Sequence, residues 1–252
     1  MIKAINKKKY FSEIEYQNQT YKIENEIIIK YKISVGKSFD SETWSKIINE
    51  NNYYYFDRLA KNKLRKLLTE KELTDFLFDL NAPKDVVNYL ITKYKKYNLI
   101  NDVNYTEIYI NNNINRYGPK IIVLKLKDKG IKYETITNQL NEINEEEYII
   151  KNINKMIDKN NKYNRKQLKN HILKTLVNKG YNYNLIINNL DILLSNINID
   201  EEKLIINDYR KMLKKYQNKK ESWELKSFIK NKLFQKGYSA SLINKIIENE
   251  NV

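Results

Sequence analysis

The residues that could carry out catalysis are few and scattered in this chain. There is one histidine, His171, and no cysteine among 252 residues. A metal site or a serine–histidine–aspartate arrangement needs its histidine within a preorganised cluster, and His171 has no second histidine or cysteine to join it. Acidic pairs such as Asp57 and Asp75 show the spacing of ordinary helix-surface charge. We therefore predict no catalytic residue, no cofactor and no metal, and expect a protein that is not an enzyme.

One short segment resembles a nucleotide-binding motif. Gly36-Lys37-Ser38 has the order of residues that ends a phosphate-binding P-loop. That motif also requires a glycine five positions before Gly36, where this chain has Tyr31. The segment also lacks a clear strand before it. We interpret it as a helix stop followed by a turn.

Basic residues outnumber acidic ones by 46 to 31, which gives a net charge of +15. This balance favours a polyanionic partner or an acidic protein surface. The alternative source of the charge is composition, because a chain dominated by lysine, asparagine, isoleucine and tyrosine is typical of an AT-rich genome. Residues 208–252 hold 11 basic and 5 acidic residues, so the excess of positive charge is densest there.

Three clusters of basic residues are the candidate sites for binding a nucleic-acid strand or a charged filament. The predicted binding residues are Lys63, Arg65 and Lys66 in the first cluster, which also contains Lys61, then Arg116, Lys120, Lys125, Lys127 and Lys129 in the second, and Lys226, Lys230, Lys232 and Lys236 in the third. The same C-terminal excess includes Arg210, Lys211, Lys214, Lys215, Lys219 and Lys220. The alternative interpretation of each cluster is a solvated helix face. Most of the 21 tyrosines are expected in the core and not as base-stacking platforms.

The second cluster surrounds a short predicted helix whose pattern recurs along the chain. Gly118-Pro119 opens the helix and Gly130 ends it. The pattern recurs at Asn81, Gly180 and Gly237, at a period of about 50 residues that indicates tandem helical units. Aliphatic residues lie four and eight positions before each anchor and six after it: Leu77, Leu126, Leu176 and Leu233; Leu73, Ile122, Ile172 and Ile229; Val87, Ile136, Ile186 and Ile243.

The first part of the chain has the patterns of β-structure. Candidate strands cover 2–5, 10–16 and 20–23, with a hairpin turn at 17–19. Asn25 is a candidate cap for a short helix from Glu26, and the alternative is a fourth strand at the β-branched run 27–29. Asp40 and Ser41 are candidate caps for a helix that ends near residue 49, and a separate helix is predicted from residue 53.

These patterns predict a mainly α-helical protein: tandem three-helix repeats in an elongated curved array, preceded by a small β-rich extension with a short helix. The predicted divisions are 1–52 for the extension and 53–99, 100–142, 143–196 and 197–252 for the four repeats. Asp102, Asp200 and Ser239 are the predicted caps of later helices. The glutamates at 145–147 fit a helix N-terminus, so we interpret them as structural.

The lack of cysteine fits an intracellular compartment. There is no apolar run of about 18 residues, and the lysines of the first 11 residues are not followed by an apolar segment. We expect a cytoplasmic protein that does not span a membrane and is a monomer.

Three segments in order resemble the signature of the RecX family. They are Leu-Ile-Asn-Asp-Val-Asn-Tyr at 99–105, Gly118, and Leu-Lys-Asp-Lys-Gly-Ile at 126–131. Residues 25–33 with Gly36-Lys37 are similar to the N-terminal extension of the longer members from Gram-positive bacteria, which favours the short helix over a fourth strand. The resemblance covers essentially the whole chain. It departs from the family at Asn81, where glycine is usual, at Thr106, where alanine is usual, and around Arg65, where the expected arginine pattern is displaced.

The resemblance implies a non-enzymatic modulator of RecA, usually an inhibitor, that acts in DNA repair, homologous recombination and the SOS response. Such proteins bind the groove of the RecA–single-stranded-DNA filament and suppress ATP hydrolysis, strand exchange and coprotease activity. The implied partners are the RecA nucleoprotein filament, single-stranded DNA and double-stranded DNA. The alternative is a helical-repeat protein that binds DNA or RNA directly and does not need RecA.

Overall fold

A computed structural model describes residues 1–218 and 222–249. It is mainly α-helical with one small N-terminal sheet, as predicted. Strands β1 (Ile2–Lys7), β2 (Phe11–Tyr16) and β3 (Gln19–Glu24) are antiparallel and lie in that order. Gln17 and Asn18 connect β2 to β3 with φ angles of 50° and 61°, as a two-residue type I′ turn requires.

The short helix α1 (Asn25–Lys30) follows β3, so a helix and not a fourth strand occupies this segment. The predicted cap at Asn25 is wrong, because Asn25 is the first helical residue and Glu24 occupies the N-cap position. The Asn25 amide instead donates to the carbonyls of Lys8 and Lys9, and its Oδ1 accepts from the Ser12 hydroxyl at 3.0 Å. Asn25 therefore fixes the start of the helix to the β1–β2 turn.

The next helix, α2 (Ser41–Lys63), is one continuous helix of 23 residues, so the predicted break between residues 49 and 53 is wrong. Asp40 caps it as predicted and accepts from the Thr43 backbone N–H at 2.7 Å. Asn51, a poor helix former inside the expected gap, is buried. Its Oδ1 accepts from the Glu24 N–H at 2.8 Å and its Nδ2 donates to the Lys22 carbonyl at 2.9 Å, so contacts with β3 hold the helix through this point.

Short turns separate the remaining helices of the described residues. They are α3 (Glu70–Asp79), α4 (Lys84–Lys96), α5 (Asp102–Asn113), α6 (Pro119–Asp128), α7 (Tyr133–Asn141), α8 (Glu145–Asp158), α9 (Arg165–Asn178), α10 (Tyr183–Ser195), α11 (Glu201–Tyr216), α12 (Ser222–Lys236) and α13 (Ala240–Asn249). The predicted caps Asp200 and Ser239 accept from the N–H groups of Lys203 and Leu242. Asp102 is not a cap, because Asn101 accepts from the first N–H groups of α5.

The chain forms two compact units. Unit 1 contains residues 1–109 and 126–136, and unit 2 contains residues 110–125 and the described residues from 137 onward. Unit 1 holds an N-terminal core, where the sheet packs on α1 and the first half of α2 around Ile14, Trp44 and Ile47. A second core joins the rest of α2 to α3 and α4. In unit 2, one core joins α8, α9 and α10, and another joins α11, α12 and α13.

The recurring anchors have the backbone conformation that the sequence predicts. The φ angles are 59° at Asn81, 83° at Gly130, 89° at Gly180 and 96° at Gly237. Every aliphatic residue predicted at the three recurring positions is buried. The repeated pattern therefore records helix ends and core positions.

Three of the anchors are junctions at which the start of one helix contacts the end of another. The Thr69 hydroxyl donates to the Lys129 carbonyl at 2.8 Å in unit 1. In unit 2, the Gly118 N–H donates to the Lys179 carbonyl at 2.8 Å, and the Asn164 Nδ2 donates to the Lys236 carbonyl at 3.0 Å. In each case the accepting lysine comes directly before the anchor glycine.

At each junction an acidic side chain accepts a hydrogen bond from a backbone N–H group. The donor differs at the Gly118 junction because of Pro119. Asp102 accepts from the Glu70 N–H at 3.0 Å, and Glu201 accepts from the Arg165 N–H at 3.2 Å. Glu70 and Arg165 are the first residues of α3 and α9, and the first residue of α6 is a proline, which has no N–H. Glu145 instead accepts from the Asn182 N–H at 2.6 Å.

Candidate functional site

The first predicted cluster lies where α2 ends. Lys61 pairs with Asp57 at 2.6 Å. Lys63, Arg65 and Lys66 are exposed, and within the described part of the chain none of these three forms an ion pair. The Lys63 ammonium lies 4.7 Å from the centre of the Phe76 ring. The cluster therefore presents positive charge to solvent at one end of a rigid helix.

The Thr69 junction places this cluster close to the end of α6. Thr69 comes three residues after Lys66, and its hydroxyl is bonded to the Lys129 carbonyl. The Lys71 ammonium also reaches the end of α6 and donates to the Asp128 carbonyl at 3.1 Å. The first cluster therefore lies close to Lys127 and Lys129 of the second cluster within unit 1, although Thr69 and Lys129 are 60 residues apart in sequence.

Lys129 itself is engaged inside the fold. Its ammonium lies 2.5 Å from a Glu72 carboxylate oxygen and 5.5 Å from the centre of the Tyr105 ring. Partial burial lowers the pKa of Lys129, but hydrogen bonds to Glu72 and Tyr105 outweigh that effect and leave the pKa raised. By contrast, Lys127 is exposed, with its ammonium 5.0 Å from the Tyr133 ring centre. Of these two lysines, Lys127 is the one available to a partner.

The rest of the second cluster lies in unit 2 around one aromatic ring. The Arg116 guanidinium and the Lys125 ammonium lie 5.1 Å and 4.8 Å from the centre of the Tyr117 ring. Cations over a tyrosine ring keep their charge while the ring restrains their position. Lys120 is exposed, and its charge partly offsets the desolvation that raises the pKa of Glu145.

The third cluster lies on α12, and its members differ in their surroundings. Lys236 pairs with Asp208 at 2.7 Å, and Asp208 also accepts from the Tyr238 hydroxyl at 2.9 Å. Lys226 is half-buried, whereas Lys230 and Lys232 are exposed. Lys219 and Lys220, which the sequence analysis placed in the same region of excess charge, lie outside the described residues.

The structure also shows the surroundings of the P-loop-like segment and of the single histidine. Gly36 has a φ of 86° and donates its N–H to the Ile2 carbonyl, while the Lys37 ammonium donates to the carbonyls of Tyr31 and Lys32. This is a turn, as predicted. His171 is exposed and lies 4.8 Å from the Tyr163 ring centre. Across residues 1–218 and 222–249 no three metal-ligating side chains come together, and no helix is long and apolar enough to cross a membrane.

Two aromatic residues of α12 were not among the predicted site residues, because only the tyrosines were considered as stacking residues. Trp223 and Phe234 are among the most exposed apolar side chains of the described residues. They are 11 positions apart, or about three helical turns, and so share a face. The buried residues Leu225, Ile229 and Leu233 mark the opposite side, and this phase was the signal available in the sequence.

The chain is similar in sequence to several regulatory proteins named RecX. No family model matches the chain. A regulatory protein RecX of Streptococcus agalactiae serotype Ia is 32% identical over 247 residues, which cover 94% of each chain. A regulatory protein RecX of Streptococcus pneumoniae (strain CGSP14) is 31% identical over 252 residues, which cover 95% of each chain.

The fold is also similar to that of two crystal structures of RecX proteins. A crystal structure of RecX from Lactobacillus salivarius is 28% identical, with a TM-score of 0.52 over 59% of this chain and 99% of that one. A crystal structure of another regulatory protein RecX shares the fold, with a TM-score of 0.55 at 21% identity over 75% of this chain and 98% of that one.

Proposed function

The chain belongs to the RecX family of regulatory proteins, and on that basis we propose that it regulates the RecA recombinase by binding the RecA–single-stranded-DNA filament. We propose that it lies in the filament groove as a monomer and acts in the cytoplasm as a non-enzymatic inhibitor. Bound there, it suppresses ATP hydrolysis, strand exchange and coprotease activity.

The distribution of exposed positive charge supports this proposal best. Lys63, Arg65 and Lys66 present charge on unit 1, while Arg116 and Lys120 present it on unit 2. Contacts that are spread over a protein and act together give tight binding without a deep pocket, because each further contact forms at high effective concentration. Exposed phosphates and acidic protein surface both attract such side chains, so the binding weakens as salt is added.

The test is a titration of this protein into RecA and single-stranded DNA at low salt, with ATP hydrolysis as the readout. We expect hydrolysis to fall as the protein approaches a stoichiometric ratio to RecA. The double variant Arg116→Glu, Lys120→Glu should require a higher concentration for the same effect. Unchanged hydrolysis at stoichiometric protein with a cognate RecA contradicts the proposal.

The second candidate function is direct binding to DNA or RNA without RecA. The exposed aromatic and basic face of α12 favours it. Fluorescence anisotropy distinguishes the two functions: a filament regulator binds the RecA filament far more tightly than naked DNA, whereas a direct binder shows no such preference.

A further inference from the structure

Helix α12 has two different faces. Leu225, Ile229 and Leu233 are buried in the core that α12 shares with α11 and α13. On the other side Trp223 is 74% exposed and Phe234 is 64% exposed. Since 11 residues make about three turns, the two rings lie roughly 16 Å apart along one side of the helix.

Polar and basic residues lie between the two rings. Ser227 and Lys230 follow Trp223 by four and seven positions, so both fall on the same side, and both are exposed. α12 contains four lysines and one glutamate. Within the described residues, Lys236 is the only one of the four that forms an ion pair, which is with Asp208. The face is therefore aromatic at both ends and carries the positive charge of Lys230 between them.

We propose that this α12 face, formed by Trp223, Ser227, Lys230 and Phe234, is a stacking surface for single-stranded nucleic acid. Unpaired bases stack on aromatic rings, and lysines beside the rings meet the phosphates of the same strand. A protein partner fits less well, because it would have to bury the Lys230 charge between the two rings, and charged residues are depleted at the centres of protein interfaces. The net charge of +15 agrees with a polyanionic ligand.

The inference rests on the nucleic-acid part of the proposed function and deepens it, because it assigns the binding of single strands to four residues on one face of α12. The relevant experiment therefore contains the full chain and DNA alone. Its failure leaves the predicted effect on ATP hydrolysis standing, and absence of an effect on ATP hydrolysis leaves the stacking surface standing.

The two tryptophans allow a direct measurement. Trp44 is 7% exposed in the N-terminal core, whereas Trp223 is largely in solvent, so a ligand that stacks on α12 changes the Trp223 emission. We expect a 20-nucleotide oligo(dT) strand to quench this emission, and the quenching to be absent in Trp223→Ala. By anisotropy, Trp223→Ala and Phe234→Ala should each weaken binding about tenfold, and Trp223→Phe should restore most of the affinity.

Ile192→Ala is the matched control, because Ile192 is 61% exposed on α10 of the same unit. It should bind oligo(dT) with unchanged affinity. All variants should keep their circular dichroism spectra, since the mutated side chains lie outside the core. Affinity that is unchanged in both Trp223→Ala and Phe234→Ala overturns the proposal. So does equal affinity for a duplex of the same length, because paired bases cannot stack on the rings.

Discussion

Lys129 has two structural functions at the residue scale. Its backbone carbonyl accepts the Thr69 hydroxyl, and its ammonium pairs with Glu72. Of the lysines that precede the three anchor glycines, Lys129 pairs with Glu72 and Lys236 pairs with Asp208. The carbonyl function needs no particular side chain, whereas the ion pair requires a cation.

Reversing Lys129 should therefore reduce stability. Lys129→Glu places a carboxylate beside Glu72 in a partly buried setting, and we expect the free energy of unfolding to fall by roughly 1 kcal/mol. Lys127→Glu, two residues earlier and exposed, should change it by less than about 0.5 kcal/mol. Urea denaturation followed by circular dichroism measures both. Equal effects of the two substitutions would show that the Glu72 pair is not a stabilising contact.

Asp102 gives a second prediction at this scale, on pH. Desolvation raises the pKa of this carboxyl group, and the hydrogen bond from the Glu70 N–H only partly offsets the effect. The protonated Asp102 is therefore favoured in the folded state. Its contribution to the free energy of unfolding is fully present below the pKa that Asp102 has in the unfolded chain, and it is lost as pH rises through the higher pKa of the folded state. Asp102→Asn keeps an acceptor without the charge, so the wild type should lose stability relative to this variant as pH rises from 3 to 7.

The matched substitution Asp102→Ala removes the acceptor altogether. It leaves the Glu70 N–H without its partner, and we expect a loss of about 1 kcal/mol at pH 7, as for removal of a helix cap. Denaturant midpoints of the three proteins between pH 3 and pH 7 test both statements. If the wild type instead gains stability relative to Asp102→Asn between pH 3 and pH 7, the carboxylate charge itself stabilises the junction and the argument fails.

At the element scale, a glycine turn ends one helix and leaves space for the backbone at the start of another helix to pack against it. A Cβ atom at Gly180 would lie 2.8 Å from the Ile121 backbone N, and one at Gly118 would lie 2.4 Å from the Tyr181 backbone N. Asn81 has a positive φ, and no hydrogen bond reaches the Leu80 carbonyl from the described residues. Asparagine adopts this conformation readily, so its presence agrees with a turn onto which no junction is built.

Two glycine substitutions separate conformation from close approach. Gly36 has a φ of 86° with no atom within 4 Å of an added Cβ, while Gly180 has a φ of 89° with Ile121 in contact. Gly36→Ala should lower stability by about 1–2 kcal/mol, the cost of the left-handed conformation. Gly180→Ala should lower it further by about 1–3 kcal/mol, because the backbone of α6 must move. Thermal or urea unfolding compares them, and equal losses contradict a role for close packing.

The same scale shows how far the sequence specifies this fold. Helical periodicity and the spacing around the glycines locate the core, because burial imposes a period that the sequence must repeat. The continuity of α2 could not be predicted, because the contacts of Asn51 with Glu24 and Lys22 are tertiary. Local patterns also contain no sign of the Lys129–Glu72 pair, since the two residues are 57 positions apart.

Thr106, where the resemblance to the RecX family leads us to expect alanine, illustrates a further limit. Its side chain is fully buried, and its hydroxyl donates to the Asp102 carbonyl at 2.6 Å, one helical turn earlier. A residue slightly larger than alanine is therefore accommodated by bonding to its own helix. The sequence alone does not show where the hydroxyl group finds its hydrogen-bond partner.

For the whole molecule, the arrangement of charge matters more than its sum. Some lysines, such as Lys93 and Lys236, are used in ion pairs with Asp57 and Asp208. Others face solvent in clusters on each unit. If the charge of +15 came from composition alone, variants that lose the same number of lysines at different positions would bind a polyanion with similar affinity. A protein with a binding surface would respond to the position of the change.

Two triple variants with the same change of net charge separate these cases. The first reverses Lys63, Arg65 and Lys66 to glutamate, and the control reverses the exposed residues Lys46, Lys84 and Lys96, also in unit 1. Binding to the RecA–single-stranded-DNA filament is measured from 50 to 300 mM salt. If the first cluster contacts phosphate, its reversal should reduce the slope of log affinity against log salt by roughly 2. The control should keep the wild-type slope, because those lysines lie outside the predicted clusters. Equal slopes for the two variants would assign the attraction to net charge and remove the first cluster from the binding surface.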